Sequence, residues 1–201
     1  MNKQRPIYNI EIDELDAETG IELISMVDRP AIESNFIKLE EELATMQLKS
    51  DAQKQYVTGP VLIPEKHIFR RDAETKEEYY IKFSAENIEK IRNKFFRTGQ
   101  LKLSNLDHSA SDKIEAYLIE SWIVTDAKND KALALGFTDV APGTLFATYH
   151  IPDVKTWEAV SERNGFSLEG NFLVKPTKLE EQKEETVESL WEDVLNALDA
   201  E

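Results

Sequence analysis

The sequence contains no cysteine, and this absence removes several kinds of chemistry at once. A chain without cysteine forms no disulfides, has no thiolate nucleophile and cannot build the cysteine-based sites that hold structural zinc. Its three histidines, His67, His108 and His150, are far apart and form no H-E-x-x-H pair. We therefore expect a functional site that contains neither a metal nor a cofactor.

Basic residues and long apolar runs are also scarce. The chain has 24 Lys and Arg against 39 Asp and Glu, which gives a formal net charge of −15. This charge opposes binding to a phosphate backbone, and no basic stripe with interleaved aromatic residues is present. No apolar run approaches the roughly 20 residues of a membrane span, and no apolar segment of a secretory signal follows the N-terminus. We expect an intracellular protein that binds neither nucleic acid nor membranes.

The chain has enough apolar residues to build one core, since they make up 41% of its 201 residues. Alternation of polar and apolar residues predicts a strand pair within residues 8–27, joined as a hairpin. A polar connector, either an exposed helix or a mobile segment, follows at about 39–55. In the core region 56–174, β-prone runs alternate with two helices that begin after Ser84 and Asp153. The pattern predicts an α+β fold.

The composition changes after Pro176, where acidic residues become frequent. We expect residues 1–176 to form the domain and residues 177–201 to form an acidic, amphipathic helix appended to it. Six apolar residues fall on one stripe of that helix, namely Val187, Leu190, Trp191, Val194, Leu195 and Leu198. Such a stripe needs to be buried. We predict that it joins copies of the chain into a homo-oligomer, with docking on its own domain as the alternative.

The stretch Asn164–Gly170 places a serine between two glycines, where a helix should end and a strand should begin. Alternation along this strand turns Phe166 and Leu168 to one face and Ser167 and Glu169 to the other. The apolar pair would anchor the strand in the core while the serine faces a cleft. Ser167 is therefore the candidate nucleophile.

A serine nucleophile needs a base that takes its proton and a third group that holds the base in the right tautomer. His108 is the best candidate base, because it ends an alternating run and lies among Asp and Ser residues. The surroundings of His67 indicate a turn residue, and those of His150 indicate a strand residue. A histidine has an unperturbed pKa of about 6.5, so it can accept and return a proton at neutral pH.

Several carboxylates could orient this histidine. Glu120 ranks first, because it is the one acid in the strongly β-prone run 116–124, where a carboxylate among apolar residues needs a partner. Its alternative role is a salt bridge across the sheet. Asp107, Asp112 and Glu169 are the other candidates for the orienting acid.

Short segments of the chain occur in an order typical of one protein family. They are YVTGPVLIP at 56–64, FSAENI at 83–88, His108, IESWI at 119–123, PGT at 142–144, VKTW at 154–157 and GFSLEG at 165–170. By these segments, the region from Tyr56 to Val174 resembles the XkdF-like phage serine proteases, which are prohead or head-maturation proteases.

The resemblance implies an assemblin-like fold, a small and mostly antiparallel β-barrel flanked by helices. It implies a serine endopeptidase that cleaves scaffold and major capsid proteins, and itself, inside the immature phage head in the host cytoplasm. By this likeness Ser167 is the nucleophile and His108 is the base. Assemblins use a second histidine after the serine, and this chain has none beyond Ser167, so Glu120 would take the third position.

Two other classes of function stay open at this point. The first is a structural or scaffold-like head protein that keeps the protease fold without turnover. The second is a metabolic esterase or amidase. The presence of Ser167, His108 and Glu120 together favours the endopeptidase, because a decayed site need not keep all three.

Overall fold

The computed structural model describes residues 5–16, 18–31, 49–51, 55–72, 74–99, 101–102 and 104–176. These residues form ten strands and three helices, in an α+β arrangement dominated by strands. In chain order they are β1 (Ile7–Glu11), β2 (Gly20–Val27), β3 (Lys49–Asp51), β4 (Tyr56–Leu62), β5 (Ile68–Arg71), β6 (Glu78–Phe83), α1 (Ala85–Thr98), β7 (Tyr117–Ile123), α2 (Lys131–Ala134), β8 (Leu145–His150), α3 (Val154–Ser161), β9 (Gly165–Asn171) and β10 (Leu173–Pro176).

The strands form three sheets. One has the order β10-β1-β6-β5, the second consists of β2 and β9, and the third has the order β3-β4-β8-β7. All neighbouring strands are antiparallel except β1 and β6, which are parallel. Within the described ranges the strands therefore do not close into the single barrel that the resemblance implies.

The hairpin predicted for the two N-terminal strands does not form. Strand β1 pairs with β6 and β10, whereas β2 pairs with β9. Lys94, a buried lysine of α1, holds the loop between them: its Nζ donates to the backbone oxygen of Asp13 at 2.6 Å, to that of Asp16, and to Thr19 Oγ1 at 2.8 Å. A buried ammonium group needs such partners. The same contacts fix the path of the chain from the first sheet into the second.

Both predicted helix starts are confirmed. The Ser84 hydroxyl accepts a hydrogen bond from the Asn87 N–H at 3.2 Å, and the Asp153 carboxylate accepts one from the Thr156 N–H at 2.8 Å. Each cap satisfies an N–H group that has no partner within the first helical turn. Helix α3 ends at Ser161 and so delivers the chain to β9.

One large apolar cluster joins the three sheets and α1. It includes Ile10 of β1, Met26 of β2, Ile88 of α1, Tyr149 of β8 and Phe166 of β9, all of them at most 2% exposed. Because Phe166 belongs to this core, the side chains that alternate with it on β9 lie on the opposite face. This packing orients the candidate site.

Two predicted segments lie largely or wholly outside the described residues. Of the connector at 39–55, Lys49–Asp51 forms β3 and pairs with β4, so these three residues belong to a sheet. The C-terminal helix predicted for 177–201 lies outside the described residues. This helix, and the homo-oligomer through it, therefore stay predictions. No helix in the described part of the chain is long and apolar enough to cross a membrane.

Candidate active site

Ser167 lies in the middle of β9, directly opposite Ser25 of β2. The alternation of this strand pair places Ser25, Ser167 and Glu169 on one face, as predicted for the latter two. Ser25 is 0% exposed and Ser167 is 4% exposed. Sequence reasoning missed Ser25, because no local spacing relates a residue of β2 to a strand so distant along the chain.

Glu169 brings the other polar side chains of the site together. Its Oε1 accepts hydrogen bonds from Ser25 Oγ at 2.6 Å, from Asn105 Nδ2 at 2.8 Å and from His108 Nδ1 at 2.9 Å. Ser25 Oγ also lies 3.2 Å from His108 Nδ1. One carboxylate oxygen thus connects β2, β9 and the turn that carries the histidine.

These contacts determine the charge of Glu169 and the tautomer of His108. Burial by itself raises the pKa of Glu169, but the hydrogen bonds from Ser25, Asn105 and His108 outweigh it, and the net pKa is below the ordinary value. An ionised carboxylate only accepts, so Nδ1 of the neutral ring carries the proton, a tautomer inferred from the bonding partners. The other ring nitrogen, Nε2, is left as the acceptor, and no described residue is hydrogen-bonded to it.

The lowered pKa of Glu169 predicts a pH dependence of stability. A carboxylate with a lower pKa in the folded chain stabilises the fold above its ordinary pKa of 4.5, and this contribution disappears as the pH falls through the folded value. We expect the wild type to exceed Glu169→Gln in free energy of unfolding at neutral pH, with the difference shrinking below about pH 4.5. Urea denaturation of both proteins across this range measures the difference. A difference in free energy of unfolding that does not change with pH would contradict a lowered pKa of Glu169 in the folded chain.

His108 is presented by a tight turn in an uncommon backbone conformation. Asp107 and His108 have φ angles of 49° and 60°, both in the left-handed region. Two consecutive residues of this kind cost on the order of 1–3 kcal/mol each, so their surroundings must hold them. The Asp107 N–H donates to the Met26 oxygen at 3.1 Å, and the Ser109 N–H donates to the Leu106 oxygen at 2.9 Å. The turn is thereby fixed against β2.

Arg163 connects this turn to the start of β9. Its guanidinium lies 3.0 Å from Asp107 Oδ2 and 3.3 Å from Asp28 Oδ1, and Asp107 Oδ1 accepts the Asp28 N–H at 3.1 Å. Asn164, the next residue, donates from Nδ2 to the backbone oxygen of Asp28 at 2.9 Å. These contacts fix the position of His108 relative to the strand that bears Ser167.

The Arg163 contacts should stabilise the fold measurably. We expect Arg163→Ala to lower the free energy of unfolding by about 1–3 kcal/mol, because two carboxylates lose a charged partner that is mostly buried. Urea denaturation measures the change. Lys90→Ala is the control, since it breaks only an exposed pair with Glu86 and should leave the stability nearly unchanged. Equal effects of the two substitutions would show that Arg163 is an ordinary surface charge.

The structure places Glu169, and not Glu120, at His108. Glu120 lies exposed on β7, the outer strand of its sheet, and is ion-paired with Lys131, whose Nζ lies 4.1 Å from the centroid of the Trp122 ring. Apolar neighbours in an outer strand do not bury every side chain, so the apolar sequence around Glu120 was misleading. The useful signal was the position of Glu169, two residues after Ser167 on the same face.

The remaining predicted residues take the following places. Ser167 and His108 lie on the same side of the β2–β9 pair, but His108 is hydrogen-bonded to Ser25 and Glu169 and not to Ser167. Asp112 is exposed at the end of the histidine turn.

Of the other two histidines, His150 has the strand position expected for it, whereas His67 lies after the turn at residues 64–65 and not in it. His67 precedes β5 with its ring 5.8 Å from that of Tyr80, and His150 ends β8 between the rings of Tyr56 and Tyr117. Over the ranges that the structure describes, no three His, Asp or Glu side chains are placed to hold a metal ion.

Comparison with known proteins adds no relative. No protein-family model matches the chain, and no significant match was found among curated proteins or solved structures.

Proposed function

We propose that the chain is a serine endopeptidase of the phage prohead, with Ser167 as the nucleophile, His108 as the base and Glu169 as the orienting acid. The observation that carries this proposal is the hydrogen bond from His108 Nδ1 to Glu169 Oε1, made on the face of β9 that also bears Ser167. A serine, a histidine and an acid that orients the histidine are the parts that acyl transfer by serine requires.

Each side chain has a defined role in the proposed reaction. Ser167 Oγ attacks the scissile carbonyl carbon while its proton passes to His108 Nε2. The resulting imidazolium is stabilised by the Glu169 carboxylate, and it returns the proton to the leaving amine as the peptide bond breaks. Water, activated by the same nitrogen, then releases the acyl group from Ser167. The reaction needs no cofactor.

Ser25 is the other serine at this site, and two observations argue against it as the nucleophile. Its Oγ donates its single proton to Glu169, and the nitrogen that it contacts is Nδ1, which already serves the carboxylate. Ser167 does not donate to this carboxylate. The contact between a nucleophile and its base is often long before substrate binds and tightens in the Michaelis complex.

The substrate class comes from the order of segments between Tyr56 and Gly170, which resembles that of the prohead proteases. On this proposal the substrates are the scaffold and major capsid proteins of the same phage, cleaved within the immature head. A head protein of the same fold without turnover would bind the same partners and leave them intact. Cleavage of the partners therefore separates the two functions.

Co-expression with the head proteins of the same genome tests the proposal. Intact-mass measurement should find shortened scaffold or capsid chains with the wild type and full-length chains with Ser167→Ala. Full-length chains with both proteins, while the chain still assembles into heads, would favour the structural protein. Shortened chains with both would show that the cuts do not depend on Ser167 and would contradict its role as the nucleophile.

A further inference from the structure

We propose that Ser25 is a positioning residue of this site, which holds the Glu169 carboxylate in the orientation that directs His108. The inference rests on the proposed function for its kinetic consequence, whereas the contacts on which it depends belong to the fold. It assigns a role in the site to β2, a strand of the N-terminal region.

A hydroxyl at this position can serve both of its neighbours. It donates one hydrogen bond, to Glu169 Oε1 at 2.6 Å, and its lone pairs face His108 Nδ1 at 3.2 Å. A hydroxyl is both donor and acceptor, so the bond to the carboxylate and the contact with the N–H of the ring are compatible. Ser25 thus closes a triangle with the acid and the base.

Ser25 is also more deeply buried than the two side chains that it contacts. It is 0% exposed, and its neighbours Ile24 and Met26 belong to the core. The side chains of Glu169 and His108 are 32% and 44% exposed. A fixed donor beside two partly exposed side chains restricts their rotamers, and a catalytic group must be held within a small range of positions to be effective.

Asn105 also holds the Glu169 carboxylate, and this limits the loss of activity expected for Ser25→Ala. Its Nδ2 donates to the same Oε1 at 2.8 Å. Without the Ser25 hydroxyl, Glu169 would keep the bonds from Asn105 and His108 and would lose its orientation only in part. Loss of Ser25 should therefore reduce activity to a much smaller extent than loss of Glu169.

The test compares Ser25→Ala with Ser25→Thr and Ser104→Ala in the full chain. Ser104 is the matched control, because it is a buried serine whose Oγ donates to the Ile24 backbone oxygen and is not hydrogen-bonded to Glu169 or His108. Carbon-13 NMR of the Glu169 carboxyl reports its pKa, and nitrogen-15 shifts of His108 report the ring tautomer. Cleavage of a head-protein peptide gives kcat and KM.

For Ser25→Ala we expect a higher pKa of Glu169, a smaller fraction of the Nδ1–H tautomer and a kcat lower by about tenfold with little change in KM. Ser25→Thr keeps the hydroxyl, so its Glu169 pKa and His108 tautomer fraction should be close to those of the wild type. Ser104→Ala should leave them as in the wild type.

The proposal is overturned if Ser25→Ala leaves the Glu169 titration and the His108 tautomer unchanged. It is equally overturned if Ser104→Ala shifts them as much, since packing alone would then explain the effect. The NMR measurements need no turnover. If the wild type cuts no peptide, the proposed endopeptidase fails while the role of Ser25 in orienting the pair is still decided.

Discussion

On the proposed function, Ser167→Ala should abolish cleavage of the head proteins, with a rate about 10⁴- to 10⁶-fold below that of the wild type. The substitution removes the atom that would form the acyl-enzyme, and no neighbouring group replaces it, because the Ser25 proton is already donated to Glu169. The fold should survive, since β9 keeps its backbone pairing with β2 and the core side chain Phe166. Purified protein and a capsid-derived peptide, followed by mass spectrometry, measure the loss.

Covalent labelling makes the same prediction specific to one residue. A fluorophosphonate reacts with an activated serine, so the wild type should gain one adduct, and peptide mapping should place it on Ser167 and not on Ser25. His108→Ala should prevent labelling, because the hydroxyl then has no base. An adduct on Ser25 would exchange the roles proposed for the two serines. An unlabelled wild type that also fails to cut would end the endopeptidase proposal.

Local sequence patterns predicted the parts of this molecule that local physics determines. The caps at Ser84 and Asp153 follow from side chains that satisfy backbone N–H groups within one turn. The faces of β9 follow from the period of two in a strand, which places Phe166 in the core and Ser167 opposite it. These predictions needed no knowledge of distant residues.

Pairing between distant strands was not predictable in this way. The β2 sequence is compatible with a neighbouring β1 or with β9, and only the whole fold chooses between them. The hairpin prediction is wrong for this reason. Ser25 was not predicted as a site residue for the same reason, because it lies at the site only through the pairing of β2 with β9. The histidine turn depends equally on contacts with the distant Met26 and Arg163.

The choice of the acid that orients His108 also depends on contacts that the local sequence does not show. The sequence favours Glu120 over Glu169, because the neighbours of Glu120 are apolar, which is typical of a buried carboxylate. In the structure its strand is an outer one, and Lys131 of α2 provides the partner. Exposure in a sheet is decided by which strands and helices cover it, and a single strand sequence does not carry that information.

A comparison of Glu169→Gln with Glu120→Gln should identify the acid. We expect Glu169→Gln to lower kcat by about 10⁴-fold, as replacement of the acid by its amide does in serine triads. A glutamine can turn its NH₂ group toward His108 Nδ1, which favours the ring tautomer with the proton on Nε2. That tautomer cannot accept the proton of Ser167. The amide also has no negative charge to stabilise the imidazolium.

Glu120→Gln removes one exposed ion pair with Lys131 and should leave kcat within a few-fold of the wild type. Both substitutions keep the shape of the side chain, so a difference between them reflects charge and hydrogen bonding at the two positions. Stopped peptide-cleavage assays at neutral pH, with urea denaturation to confirm folding, provide the measurement. A large loss of kcat in Glu120→Gln, together with an active Glu169→Gln, would identify Glu120 on β7 as the orienting acid. Full activity in both would reduce the site to Ser167 and His108, with the carboxylate at 2.9 Å from the ring serving stability alone.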